Sequence, residues 1–262
     1  MANLLLEWLS INGLVLFGIG VLAAIIGVMF GAAGFVLLPS LLLVGIPIHA
    51  TVAVNKFATG VSSFTTVLVL VLKKKVQLKR MLPLMFFASL GGISGAFLAT
   101  RLSELTMNAV ACIVLIAMFI VVLKSNKTGL VSEQQDQEQP VKEQRSTLLA
   151  PFFIGIYDGG FGPGSALLNI TYFLKKQFSY VNAAEMTRFM MFGSCMSAFL
   201  FYFFYGIVDW GIAIPVTAGS IIGSHIGLKI VPYLKGKWLQ VLLPIIFLLL
   251  IVQVVLDLLF SS

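Results

Sequence analysis

The sequence predicts an all-α integral membrane fold. It should hold two inverted-topology repeats and about eight hydrophobic segments, each half opening with a broken or re-entrant helical hairpin. Three observations predict this. Of 262 residues, 59% are hydrophobic and 10% charged, whereas soluble domains are about a quarter charged. The apolar residues gather in runs long enough to cross ~30 Å of hydrocarbon. Landmarks of the first half recur 132 residues later in the second.

The apolar segments of the first half fall at 12–44, 50–72, 81–100 and 107–123. The opening MANLLLEWLSINGLVLFGIG has no basic run and carries Glu7, so it reads as part of the membrane domain and not as a cleaved signal peptide. Segment 12–44 contains Gly31-Ala32-Ala33-Gly34 and Pro39, which break a helix; residues 4–30 could make one full span before that break. The second half places its segments at 148–174, 181–205, 211–228 and 238–260. Between the halves, SNKTGLVSEQQDQEQPVKEQRS is polar, Gln-rich and contains Pro140. The expected organisation is a membrane repeat over 1–124, a disordered cytoplasmic linker over 125–147 and a second repeat over 148–262.

The repeat is read from positions. Lys56 meets Arg188, Phe57 meets Phe189, Ser62 meets Ser194, Val76 meets Val208 and Pro83 meets Pro215. The GxxxG pair Gly91/Gly95 meets Gly223/Gly227, a spacing that permits close helix packing. Upstream, at a shift of 131, Phe30-Gly31 meets Phe161-Gly162. The basic loops change sides between the halves. Lys73, Lys74, Lys75, Lys79 and Arg80 face a second-half loop, 206–210, with no Lys or Arg. The Lys-free loop 45–49 instead matches Lys175 and Lys176, and the loop with Arg101 matches Lys229, Lys235 and Lys237. With basic loops on the cytoplasmic side, the halves have opposite topology and the C-terminus lies outside.

The same bias puts both ends of 148–174 on the cytoplasmic side. The segment is too short for two crossings of ~20 residues each, so two short helices should meet inside the membrane. YDGGFGPGS, residues 157–165, is their junction. Its backbone must be buried in protein or line a wet cavity. A helix restarting after Pro163-Gly164 aims free N–H groups and a partial positive charge at the midplane, which suits an anion. The simpler reading is that such a run only kinks a helix for packing.

The candidate binding residues are Gly31, Gly34, Asn55, Lys56, Asp158, Gly162, Pro163, Gly164, Glu185, Thr187 and Arg188. Lys56 and Arg188 each lie in an apolar helix and either snorkel to the interface or face an internal anion from the two halves. Asn55 and Thr187 could add hydrogen bonds. Glu185 pairs with Arg188 at i, i+3 or carries a proton. Asp158 caps the restarted helix, binds a proton or pairs with Arg188. Cys112 and Cys195 read as buried thiols. The net charge of +7 sits in loops without interleaved aromatics, so nucleic acid is not an expected partner. No metal-ligand cluster or nucleophile–base pair has convincing spacing, so neither an enzyme nor a cofactor is expected. The expected partners are a small anionic substrate and the lipid bilayer; homo-oligomerisation stays open.

These features together resemble the sulfite exporter TauE/SafE family of bacterial membrane transporters. The resemblance covers nearly the whole chain outside the linker. It rests on the glycine break before Gly45-Ile-Pro47, on Ala53-Val-Asn-Lys56, and on Tyr157-Asp-Gly-Gly-Phe-Gly-Pro-Gly164, followed by Gly206-Ile-Val-Asp-Trp210 and the Gly223/Gly227 pair. It departs from the commoner pattern at Gly-Ala-Ala-Gly and at Ala184-Glu-Met-Thr-Arg188. The resemblance implies a bacterial plasma-membrane carrier of small sulfur-containing anions such as sulfite, thiosulfate or sulfonates. A secondary transporter working by alternating access is the leading expectation. A passive anion channel and a membrane scaffold without transport are the alternatives.

Overall fold

A computed structural model describes residues 11–31, 33–73, 78–103, 106–107, 109–110, 113, 148–176 and 178–233. The linker 125–147, the segment 238–260, Cys112 and most of the segment 107–123 lie outside them. The described part is all-helical. The first four helices are α1 (Ile11–Phe30), α2 (Ala33–Leu43), α3 (Ile48–Leu72) and α4 (Leu78–Ala99). The next four are α5 (Leu149–Gly160), α6 (Ser165–Lys175), α7 (Tyr180–Phe204) and α8 (Trp210–Ile230), closed by one 3-10 turn, Val231–Tyr233.

Among the described residues four helices are long and apolar enough to cross a membrane, at Ile48–Leu72, Met81–Ala99, Tyr180–Phe204 and Trp210–Ile230. Each of α3 and α7 has 25 residues, which gives ~37 Å at 1.5 Å per residue and exceeds a ~30 Å hydrocarbon core. Large apolar side chains on the outer faces, among them Leu14, Phe86, Phe97, Phe153 and Ile222, are exposed. That arrangement is stable against lipid tails and costly against water.

The two apolar segments with glycine breaks each form two helices. Segment 148–174 gives α5 and α6 with a turn over 161–164, as its breakers require. Segment 12–44 gives α1 and α2, and its arms are unequal: α1 has 20 residues and α2 has 11. Pro39 does not contribute to this break. It lies inside α2, where neighbouring helices tolerate a proline that would end a helix in water.

Helices α3 and α7 form the centre, with most of their residues buried, and they pack on each other. They cross where Gly60 approaches Met196; a Cβ on Gly60 would lie 3.2 Å from the Met196 nitrogen. Outside this pair, α1 packs on α8 and α4 packs on α5. The GxxxG glycines make both contacts close. A Cβ at Gly95 would sit 1.9 Å from the Ile156 carbonyl oxygen, and one at Gly223 would sit 2.3 Å from that of Val21. Backbones meet there because no side chain stands between them. One apolar cluster joins Leu37 and Leu41 of α2 to Val54 and Ala58 of α3 and to Ala213 and Val216 of α8. Another joins Val67 and Leu70 of α3 to Leu84 of α4, Phe173 of α6 and Phe189 of α7.

Candidate functional site at the facing helix breaks

The second-half break is built from local chemistry. The Phe161 and Gly162 amides both donate to the Tyr157 carbonyl, at 3.0 and 3.2 Å. Gly162 and Gly164 have φ of 102° and 79°, a region that glycine enters without steric cost. The chain then restarts with the Ser165 amide on the Gly162 carbonyl at 3.0 Å. Tyr157 donates its hydroxyl to the Pro163 carbonyl across the turn. The first residue before α6, Gly164, offers no side-chain cap.

Asp158, in the last turn of α5, is 1% exposed and anchors this turn. Its Oδ1 accepts from Lys56 Nζ at 3.0 Å and from Ser165 Oγ at 2.6 Å. Its Oδ2 accepts from Ser194 Oγ and from Cys195 Sγ, the latter at 3.2 Å. One carboxylate thus joins α3, α5, α6 and α7. A buried ion pair is tolerated only when its remaining lone pairs are satisfied, as they are here. Lys56 is 0% exposed, so it does not snorkel. Of the roles open to Asp158, pairing is with Lys56 and not with Arg188.

The first-half break faces this turn directly. Gly31 has φ of 72°, and a Cβ there would meet the Leu167 nitrogen at 2.5 Å. A Cβ on Gly34 would meet Pro163 Cα at 3.0 Å. The tips at 31–34 and at 162–167 therefore touch backbone to backbone. At the C-terminal end of α1, Tyr180 donates its hydroxyl to the Met29 carbonyl. Arg188 donates from Nη2 to the Gly27 carbonyl at 3.4 Å. Carbonyls at a helix C-terminus carry partial negative charge, so a guanidinium is favoured there. Arg188 is 3% exposed, and its Nε has no hydrogen-bond partner.

The two cations therefore differ. Lys56 reaches the second-half break and finds a carboxylate there. Arg188 reaches the first-half break and finds a carbonyl. Among the described residues the Lys56–Asp158 contact is the one ion pair. Thr187 donates to the Ala183 carbonyl at 2.8 Å, so its hydroxyl proton is held by its own helix. Asn55 accepts from Thr59 at 3.3 Å on the same helix. Glu185 is buried on α7.

Sequence reasoning missed Ser165, Ser194, Cys195 and Asn169. Ser194 was visible as the partner of Ser62 in the repeat. Cys195 was visible as the residue two turns beyond Arg188 on the same helix face. Among the described residues no group of three or more His, Cys, Asp or Glu could hold a metal ion.

Comparison with known proteins agrees with the membrane architecture. A "Probable membrane transporter protein ORF9" from Sinorhizobium sp is 29% identical over 233 residues, 88% of this chain and 86% of that protein. A "Probable membrane transporter protein" from Haemophilus influenzae is 26% identical over 226 residues, 86% of this chain and 87% of that one. A "Probable membrane transporter protein YdhB" from Bacillus subtilis is 27% identical over 225 residues, 82% of this chain and 87% of that one. No solved structure matches. The family model "Sulfite exporter TauE/SafE" matches residues 16–254. The chain is thus a multi-pass membrane protein that belongs to the TauE/SafE sulfite exporter family, a family of membrane transporters and not of enzymes.

Proposed function

We propose that this chain is a secondary transporter of small anions that binds its substrate between the two helix breaks, beside Arg188. The observation that carries the reading is the buried guanidinium, which has one carbonyl contact, an unpaired Nε and no carboxylate partner. Burying a cation without a counter-charge is costly unless an anion arrives to share the site. The free first-turn amides of α6 add partial positive charge at the same tip. Lys56 is already neutralised by Asp158, so it holds the turn and sets the local field. Sulfur oxyanions and sulfonates are the favoured class, on the description of the matching family.

Alternating access between two inverted repeats, over 1–124 and 148–262, supplies the movement in this reading. The element order supports it. Helices α2, α3 and α4 each have a counterpart, α6, α7 and α8, that begins 132 residues later. The packing supports it as well: α1 lies on α8 as α5 lies on α4, and α3 touches α8 as α7 touches α4. Such an exchange of partners is what a pseudo-two-fold axis requires. In this scheme the protein sits in the bacterial plasma membrane, the linker 125–147 is cytoplasmic and the C-terminus is outside.

Counterflow in proteoliposomes tests the proposal, with sulfite, thiosulfate, alkyl sulfonates and carboxylates as the panel. Uptake of a labelled anion accelerated by the same anion inside is the expected result. Flux without such acceleration would identify a channel, and no flux of any anion would remove the transport reading.

A further inference from the structure

We infer that Asn169 is a specificity residue of the anion site and that, with Arg188, it selects a monoanion carrying its own O–H or N–H donor. The inference rests on the transport reading above and deepens it. Asn169 lies one turn into α6 and is 1% exposed. Its Nδ2 reaches the Met191 sulfur at 3.7 Å, a thioether and hence a weak acceptor. Its Oδ1 has no partner. Ser165, one turn earlier on the same face of α6, also lies 3.7 Å from that sulfur and is committed to Asp158. So α6 turns one satisfied and one unsatisfied polar side chain toward Met191.

Met191 stands three residues after Arg188 on α7, and such positions are neighbours on one helix face. The unpaired Nε of Arg188 and the unpaired Oδ1 of Asn169 therefore flank one methionine, one as a donor and one as an acceptor. Apolar cores do not retain such orphans without cause, because a buried unmade hydrogen bond costs the full desolvation of the group. A ligand that completes both must accept from the guanidinium and donate to the amide oxygen. The positive charge selects an anionic oxygen for the first role. The second requires a hydrogen-bearing oxygen or nitrogen on the same ion. Hydroxylated sulfonates, hydroxycarboxylates and hydrogen-oxoanions share that chemistry; plain alkyl sulfonates and fully deprotonated oxoanions do not.

The test uses the purified full chain in proteoliposomes and two matched pairs of anions: ethanesulfonate with 2-hydroxyethanesulfonate, and acetate with glycolate. Affinity is read from inhibition of counterflow. Within at least one pair the hydroxylated member should bind roughly tenfold tighter or more, the size expected when a buried acceptor gains its donor. Asn169→Leu should bring that ratio close to one while keeping anion binding, and Arg188→Lys should weaken both members together. Equal binding within both pairs by the parent protein would overturn the inference and leave anion transport standing. A preference that survives Asn169→Leu would overturn it too. If the parent transports and binds no anion at all, the transport reading fails and takes the inference with it. The parent ratio alone decides the matter should Asn169→Leu not fold.

Discussion

Replacing the members of the buried ion pair, singly and together, tests how the second-half break is held. Lys56 and Asp158 are 0% and 1% exposed and 3.0 Å apart. At an effective dielectric of ~20, two unit charges at that separation attract by about 5 kcal/mol. Removing one partner strands the other, which costs on the order of 3–5 kcal/mol. The two single variants should not be equal. In Lys56→Met the carboxylate keeps donors from Ser165, Ser194 and Cys195, so the loss should fall near 3 kcal/mol. In Asp158→Leu the ammonium loses its one hydrogen-bond acceptor among the described residues, so the loss should approach 5 kcal/mol. The double variant Lys56→Met with Asp158→Leu strands neither charge and should lie well above the sum of the singles. Unfolding in mixed micelles titrated with dodecyl sulfate measures all four proteins. Losses that add to within about 0.5 kcal/mol would mean that the two side chains do not act as a pair, and the account of the break would fail.

Three further outcomes follow from the same geometry. Gly162→Leu should abolish transport while the protein stays in the membrane, because φ is 102° and a Cβ would lie 2.2 Å from Lys56 Nζ; initial-rate uptake by the reconstituted variant checks it. Arg188→Lys keeps the charge but loses the planar fork, so substrate affinity in a scintillation proximity assay should fall roughly 10- to 150-fold. In a background lacking Cys112 and Cys195, Lys73→Cys should be labelled by an impermeant thiol reagent only from the cytoplasmic side and Tyr205→Cys only from outside; labelling of both from one side would contradict inverted repeats.

Much of the molecule was legible in its residue order. The all-helical membrane class follows from run length and apolar content, which are local quantities. The break at 161–164 was legible for the same reason: Gly162 and Gly164 enter left-handed backbone cheaply, and Pro163 cannot donate an amide to a helix. The close contacts of Gly91, Gly95, Gly223 and Gly227 were also foreseeable, since a missing side chain is a property of the residue itself. Pro39 shows where local reading stops. A proline disfavours helix by itself, yet α2 runs through it, because surrounding helices set the cost.

What only the tertiary structure decided is which charge meets which partner. Lys56 and Asp158 are 102 positions apart, and Arg188 and Gly27 are 161 apart. In sequence the two cations look equivalent, matched residue for residue. In the fold one faces a carboxylate and the other a carbonyl, which turns an expected symmetric clamp into an anchored lysine and an arginine with a donor to spare. The unpaired amide oxygen of Asn169 was invisible for the same reason. Hydropathy and backbone preference belong to single residues and short windows, and the sequence states them directly. Hydrogen bonds and ion pairs between helices depend on which faces meet, and that is set by the packing of every helix at once.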